Sequence, residues 1–140
     1  MSLSRSEIMS RVRHEDTDIE IAVRKRLHAK GFRFRKNVRR LPGCPDVVLS
    51  KYKTVIFVHG CFWHGHPNCR SASLPKSNRE FWENKVQYNQ NRDERNFTEL
   101  KKMGWEVILI WQCELKNKKL TDQKIEEIIH LLKRDENIKG

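Results

Sequence analysis

Half of the histidines and half of the cysteines of this chain fall within one short stretch, residues 59–69, with the sequence HGCFWHGHPNC. Thiolate and imidazole are the ligands that Zn²⁺ prefers, and Cys61, His66 and Cys69 stand five and three positions apart. The glycines and the proline between them favour the turns that such a site needs. A structural zinc site requires a fourth ligand, which Cys113 can supply from a distant part of the chain. The sequence therefore predicts a closed zinc site that fixes this loop.

Two more histidines, His59 and His64, lie beside the predicted zinc site without being needed by it. An imidazole titrates near neutral pH, so each of them is a candidate for proton transfer or for hydrogen bonding at a reaction centre. The loop therefore combines a predicted structural site with candidate catalytic groups.

The charge of the chain favours a polyanionic partner. Its 140 residues include 29 Lys and Arg against 18 Asp and Glu, a formal net charge of +11. The basic residues cluster, as at 24–26 and 33–40, which argues against the alternative that the charge only aids solubility. These stretches have no long exposed apolar face behind them, so we do not expect a membrane surface as the partner.

Length and composition indicate one domain over residues 1–140, with residues 1–16 as an N-terminal arm. The N-terminus lacks a signal-peptide core and no apolar run is long enough to span a membrane, so we expect a cytoplasmic protein. In a reducing compartment, four cysteines favour metal ligation over disulfides. Cys44 lies outside the predicted zinc set, and we interpret it as a passive free thiol beside the Pro45-Asp46 turn.

Hydrophobic periodicity and capping patterns predict an α/β fold with the order α-β-β-β-α-β-α after the arm. The predicted strands are 32–35, 46–49, 54–58 and 105–111, and the predicted helices run from 17 to the stop at 31, from 77 to 103 and from 121 to 133. The middle of the second helix, 87–96, is almost wholly polar, so we expect it to face solvent or a ligand. Trp105 and Trp111 flank the fourth strand and are expected in the core.

Several segments together resemble the very-short-patch-repair (Vsr) family of mismatch endonucleases. In chain order they are Arg5-Ser6 with Met9, Asp16-Thr17 leading to Glu20, Leu41-Pro42-Gly43-Cys44-Pro45-Asp46, Phe57-Val58-His59-Gly60-Cys61-Phe62-Trp63-His64, Pro75-Lys76-Ser77-Asn78 with Phe81-Trp82, Arg92-Asp93, and Gly104-Trp105 through Trp111-Gln112-Cys113-Glu114. The segments follow the family's order along most of the chain, and the block around the histidines is the most specific.

The resemblance implies a restriction-endonuclease-like core of the PD-(D/E)xK type, with a mixed central sheet flanked by helices. It implies a bacterial, strand-specific nickase that cuts duplex DNA beside a T:G mismatch, with catalytic Mg²⁺ and structural Zn²⁺. It also implies mismatch-repair proteins as partners, while a monomer is the default expectation.

The resemblance also assigns roles by position. The catalytic positions match Asp46, His59, His64, Asp93 and the first-helix acid Glu20, and Mg²⁺ binding matches the Asp46 carboxylate and the backbone carbonyl of Val58. The zinc ligands match Cys61, His66, Cys69 and Cys113, and the aromatic residues that wedge into the DNA stack match Phe62, Trp63 and Trp82. Met9 of the arm is a candidate for entering the opposite groove.

The sequence departs from the family pattern in two places. Pro67-Asn68 makes the gap from His66 to Cys69 one residue longer than in some members, so His64 and His66 both remain candidate zinc ligands. The general acid-x-Lys signature is replaced by Val58-His59, so we do not expect a lysine-based mechanism.

Residue chemistry leads to a hypothesis for each catalytic side chain. We interpret His64 as the proton-transfer residue, Asp93 as the carboxylate that orients it, and His59 as a hydrogen-bonding residue at the metal waters. A structural role is the alternative for each, above all for Glu20, which a capping box already explains. Two other functions remain open, namely a non-enzymatic zinc-stabilised DNA-binding module and a nuclease of different specificity on the same scaffold.

Overall fold

The computed structural model describes residues 18–67 and 69–139, and the N-terminal arm with Met9 and Thr17 lies outside these ranges. Three helices and three strands make up the described fold. They are α1 (Asp18–Ala29), β1 (Val47–Leu49), β2 (Thr54–His59), α2 (Arg79–Lys102), β3 (Glu106–Trp111) and α3 (Lys118–Lys139). The three strands form one mixed sheet in the order β1-β2-β3, with β1 antiparallel and β3 parallel to β2.

The central strand β2 explains how the layers are arranged. All six of its residues are buried, which is the pattern of a strand covered on both faces. Successive side chains point to opposite faces, so Ile56 and Val58 pack with α1 and α3, whereas Val55 and Phe57 pack with Leu100 of α2. The sheet therefore lies between α1 and α3 on one face and α2 on the other. The apolar run at 54–58 predicted the central strand of this sheet.

The predicted strand at 32–35 is wrong. Arg35 makes a single antiparallel bridge with Val48, through the pair of hydrogen bonds Arg35 N to Val48 O (3.0 Å) and Val48 N to Arg35 O (2.8 Å). Pairing stops there because Asn37 adopts a left-handed conformation (φ 50°), which turns the chain away, and because β1 is only three residues long. The order among the described residues is consequently α-β-β-α-β-α.

Two predicted helix starts also differ from the structure. The last helix begins at Lys118 rather than at 121, because the side-chain Oδ1 of Asn117 accepts the Leu120 amide (2.9 Å) and caps it. At the start of α2 the expected capping box does not form. Asn78 takes the cap position in a left-handed conformation (φ 55°), and in this described segment no side chain caps the helix.

Within the described residues, no helix is both long enough and apolar enough to cross a membrane. All four cysteines belong to this part of the chain, and none of them forms a disulfide. Cys44 is half-buried on the loop before β1.

Candidate active site and metal centre

The parallel register of β2 and β3 brings two distant cysteines together. His59 and Trp111 are register partners at the ends of the two strands. Parallel strands end at the same edge of a sheet, so the residues that follow them meet there. Cys61 and Cys113 each lie two positions beyond this pair. The sheet edge is therefore where the loop and the distant fourth ligand converge.

The four predicted zinc ligands, Cys61, His66, Cys69 and Cys113, form one cluster whose ligand atoms all lie within 4.8 Å of one another. The Cys113 Sγ is 3.4 Å from the His66 Nδ1, and the His66 amide donates to the Cys61 carbonyl (3.0 Å). Burial raises the pKa of the Cys61 thiol to about 12, so a bound cation is needed for this sulfur to act as a thiolate. Three sulfurs and one imidazole fit Zn²⁺ in a closed structural site.

The other candidate zinc ligand, His64, contacts Asp93 and not the cysteines. Its Nδ1 is 2.5 Å from the Asp93 Oδ2 of α2, while His66 lies with the thiols. The His59 Nδ1 is 3.9 Å from the same carboxylate oxygen, and the two imidazole rings are stacked with centroids 3.7 Å apart and planes at 10°. His64 and His66 were both candidate zinc ligands from the sequence. In the structure they belong to two separate clusters.

The ligand atoms of His59, His64 and Asp93 also lie within 4.8 Å of one another, but their geometry does not suit a shared metal. An ion held by two imidazole nitrogens must lie near both ring planes. Two nearly parallel planes stacked 3.7 Å apart have no point close to both. This cluster is therefore better understood as two imidazoles gathered around one carboxylate.

His59 is the more buried imidazole, with 5% of its surface exposed. Burial lowers its pKa to about 3, and electrostatic interactions with His64 and Arg92 lower it further, against the opposing effect of Asp93. At neutral pH this ring is uncharged. His59 can accept or donate a hydrogen bond, but it does not carry a positive charge for a phosphate.

A pair of buried carboxyl groups lies in the same cleft. The Asp46 Oδ2 accepts the Val58 amide (2.6 Å), and its side chain also hydrogen-bonds to Glu20 of α1. Burial and the negative charge of Glu20 raise the pKa of Asp46 to about 7, although the Val58 amide and Arg24 oppose the shift. A divalent cation would offset the repulsion within this pair, and hard oxygen donors suit Mg²⁺. The residues therefore fit the metal that the family implies.

These groups line one cleft of about 740 Å³. Its walls carry both carboxyl groups, the imidazole pair with Asp93, and basic side chains, which are Arg39, Lys85 and Arg92. A cleft that combines acids able to hold a cation, imidazoles and peripheral basic groups can bind a phosphodiester and transfer a proton to or from water.

The predicted DNA-wedging aromatics pack together at the mouth of this cleft. Phe62, Trp63 and Trp82 make edge-to-face contacts with centroids 5.5 to 6.3 Å apart. Trp82 is only 4% exposed, so its contact with DNA stays a prediction that requires the ring to leave this cluster. Its neighbour Phe81 is 50% exposed and lines the cleft, although sequence analysis gave it no role. The exposure of such a large aromatic ring indicates a candidate contact surface at Phe81, and this exposure is visible only in the structure.

The polar stretch of α2 has a function that sequence analysis saw only in part. The Asn89 Nδ2 donates to the Trp63 carbonyl (2.9 Å), and the Gln90 Nε2 donates to the His64 and Gly65 carbonyls (3.2 and 3.1 Å). Gly65 has a left-handed φ of 60°, and a Cβ there would overlap the Gln90 side-chain amide. The polar face of α2 thus binds the backbone of the loop 60–69, called the metal loop below, and places Asp93 against His64.

The fold and the site define a small, basic α/β protein in which a cluster of three cysteines and one histidine that could hold a metal ion adjoins a cleft of carboxyl and imidazole groups. The family model described as DNA mismatch endonuclease Vsr matches residues 2–70. The chain is 48% identical to the type II nicking enzyme V.NmeAIP of Neisseria meningitidis, over 92% of this chain and 91% of that protein. It is 40% identical to the DNA mismatch endonuclease Vsr of Escherichia coli, over 89% of this chain and 80% of that protein. The chain therefore belongs to the Vsr family of DNA endonucleases.

Proposed function

We propose that this protein is a strand-specific endonuclease that nicks duplex DNA next to a T:G mismatch, with Mg²⁺ at Asp46 and structural Zn²⁺ at the cysteine cluster. The observation that carries the proposal is the separation of the two loop imidazoles. His66 lies with the thiols, which leaves His64 paired with Asp93 in the cleft that also contains Asp46. The names of the relatives, nicking enzymes and a mismatch endonuclease, support both the reaction and the substrate.

The proposed core is restriction-endonuclease-like. The buried acid Asp46 immediately precedes β1 of an antiparallel pair of strands, and the crossover through α2 returns the chain to a parallel third strand. This arrangement places the acid and the end of β2 side by side, because the Val58 amide binds the Asp46 carboxylate.

Asp46, Glu20 and the Val58 carbonyl are the groups that would hold Mg²⁺, which when bound neutralises charge on the phosphoryl oxygens. His64 takes the proton of the attacking water as the oxygen of that water bonds to phosphorus. The bond from phosphorus to the sugar oxygen breaks, and the sugar oxygen takes a proton from solvent water to leave as a hydroxyl. Asp93 holds the Nδ1 side of His64 and stabilises the imidazolium that forms. His59, which is neutral at pH 7, lines the same cleft and would hydrogen-bond to the waters of the bound metal.

The four ligands at the sheet edge would hold Zn²⁺, and its role here is structural. Phe62 and Trp63 lie in the loop between Cys61 and His66, so fixing the cluster also fixes these rings. A rigid aromatic wedge can offset the few kcal/mol needed to unstack a base step, and a mispaired step opens at lower cost. Mismatch preference then follows from the deformability of the DNA.

The test is a nicking assay on T:G and T:A duplexes of the same sequence, with and without Mg²⁺, using the wild type and Asp46→Asn. We expect Mg²⁺-dependent cleavage of one strand of the T:G duplex only, and loss of cleavage with retained DNA binding in the variant. Equal cleavage of both duplexes would overturn the mismatch specificity and favour a nuclease of different specificity. Binding without cleavage across varied sequence contexts would favour the non-enzymatic module.

We further expect the protein to act as a cytoplasmic monomer and to work with mismatch-repair proteins. Sedimentation of the protein alone and with duplex DNA measures the first expectation, since a dimer of 140-residue chains would separate clearly from one chain. The basic surface is consistent with double-stranded DNA as the primary partner.

A further inference from the structure

Four rings form a continuous row between the metal cluster and the catalytic cleft. Trp111 stacks flat on His66, with centroids 4.1 Å apart and planes at 14°. The same indole and the His59 ring meet edge-to-face, with centroids 5.5 Å apart and planes at 78°, and His59 stacks on His64 at 3.7 Å and 10°. We propose that Trp111 is a positioning residue. Because it contacts both His66 of the metal cluster and His59, it holds the rings of His59 and His64 in a fixed orientation relative to that cluster. This inference rests on the proposed nuclease function.

His59 depends on ring packing for its orientation. Its Nδ1 is 3.9 Å from the Asp93 Oδ2, a distance too long for a hydrogen bond. The ring is buried between His64, Trp111 and Phe97, and Phe97 stacks on it at 5.7 Å and 19°. Because His59 offers its flat face to His64, a tilt of His59 would also tilt the ring that is proposed to transfer the proton.

Trp111 is well placed to fix that orientation because its own backbone is held on two sides. It is the register partner of His59 at the end of β3, so the sheet fixes the distance between the two residues. Its amide donates to the Glu114 Oε1 (2.9 Å), and the Glu114 Oε2 pairs with the Lys124 Nζ of α3 (2.7 Å). The indole is consequently anchored to the sheet and to a helix, and it contacts both the predicted metal ligand His66 and the imidazole of His59.

The row also explains why an aromatic residue suits this position better than an aliphatic one. An aliphatic side chain could fill the volume, but it could neither stack flat on His66 nor make an edge-to-face contact with His59. Edge-to-face and offset-stacked pairs set the relative angle of two rings as well as their distance. The proposed role of Trp111 is therefore to set the angle of the His59 ring, and the test must separate this role from simple core packing.

The experiment compares Trp111→Leu and Trp111→Phe with Trp105→Leu as a matched control. Trp105 precedes the same strand at its other end, is also half-buried, and stacks under the Lys53 Nζ at 4.2 Å, away from both clusters. Zinc content, urea unfolding, T:G duplex affinity and single-turnover nicking are measured for each protein. The ring NMR resonances of His59 and His64 are recorded without DNA.

We expect Trp111→Leu to keep its zinc and its duplex affinity while the nicking rate at saturating DNA falls about 10- to 100-fold. The resonances of both imidazoles should shift, and Trp111→Phe should recover much of the rate. Trp105→Leu should lose comparable stability and keep the wild-type rate and resonances.

Three results would overturn the inference. They are wild-type resonances and rate in zinc-loaded Trp111→Leu, a loss of rate in Trp105→Leu as large as in Trp111→Leu, and loss of zinc from both Trp111 variants. The last result would limit Trp111 to supporting the metal ligand. If the wild type fails to nick T:G DNA, the proposed function fails, while the resonances still decide whether Trp111 orients the imidazoles.

Discussion

Two histidines separated by one residue serve different clusters in this protein. His64 binds Asp93 in the cleft and His66 joins the cysteines, because Gly65 between them turns the chain in a left-handed conformation. The sequence predicted the ligand types and all the side chains involved. It left the two imidazoles in competition because the direction of each depends on the path of the loop, which contacts with α2 determine.

The substitution Asp93→Asn tests the role of the carboxylate at the residue scale. The amide would keep the size of the side chain but would not stabilise an imidazolium, so we expect single-turnover nicking to fall by about 10²- to 10⁴-fold with unchanged duplex affinity. Glu94→Gln is the matched control, since Glu94 is the next residue of α2 and is exposed. If Asp93→Asn nicks at a rate within the range of the control, the assignment is refuted.

The buried carboxyl of Asp46 predicts a pH dependence of stability. Burial and Glu20 raise its pKa from 3.8 to about 7, so the folded state retains a proton that the unfolded state has released. This contribution to the free energy of unfolding is fully present below about pH 4 and is lost as the pH rises through about 7. Without Mg²⁺, zinc-loaded wild type should therefore lose stability between these limits.

Asp46→Asn removes the titrating group and should flatten this decline, by an amount on the order of a few kcal/mol. Urea unfolding of both proteins between about pH 5 and pH 8 measures the difference. Added Mg²⁺ should restore stability at the alkaline end in the wild type alone, since a ligand stabilises the state that binds it. Parallel pH curves for the two proteins would contradict the account.

At the scale of elements, the interaction between α2 and the metal loop is the main determinant of the cleft. Gly65→Ala tests it, because a Cβ would approach the Val86 Cγ1 to 2.5 Å and would also overlap the Gln90 Nε2. Gly31→Ala is the control, since Gly31 also has a positive φ (87°) but its Cβ would meet nothing within 4 Å. Both variants should lose about 1–2 kcal/mol from the left-handed conformation, and Gly65→Ala about 1–3 kcal/mol more from overlap. Equal urea midpoints for the two variants would show that the contact contributes little.

Sequence patterns predicted the elements that have strong periodicity and missed those set by local geometry. The apolar runs gave β2 and β3 within one residue, and the helix that contains Asp93 was also placed correctly. The alternating segment at 32–35 failed because a strand needs a partner of matching length, and β1 has only three residues. The burial of Trp82 and the exposure of Phe81 were likewise beyond sequence analysis, because adjacent aromatics in one helix turn differ only in what packs against them.

The whole molecule combines a net charge of +11 with a cleft lined in part by basic side chains. Counterion release should make duplex affinity fall by about 10²- to 10³-fold between roughly 50 and 200 mM salt. Lys85→Gln at the cleft should reduce the slope of log affinity against log salt concentration by the equivalent of about one phosphate contact. Lys133→Gln on α3 should leave this slope unchanged. Affinity measured by fluorescence anisotropy across this range checks the expectation. A flat salt dependence would mean that phosphate contacts do not dominate binding.

The central claim is that one edge of the sheet supports two sites with separate tasks, a zinc centre that fixes the loop and a cleft that carries out the reaction. The most direct test is the zinc content of His64→Gln, measured on the same preparation as its nicking rate and compared with His66→Gln. We predict that His64→Gln retains one zinc ion per chain and does not nick T:G DNA, whereas His66→Gln loses the metal. Loss of zinc from His64→Gln, or full nicking by it, would contradict the account.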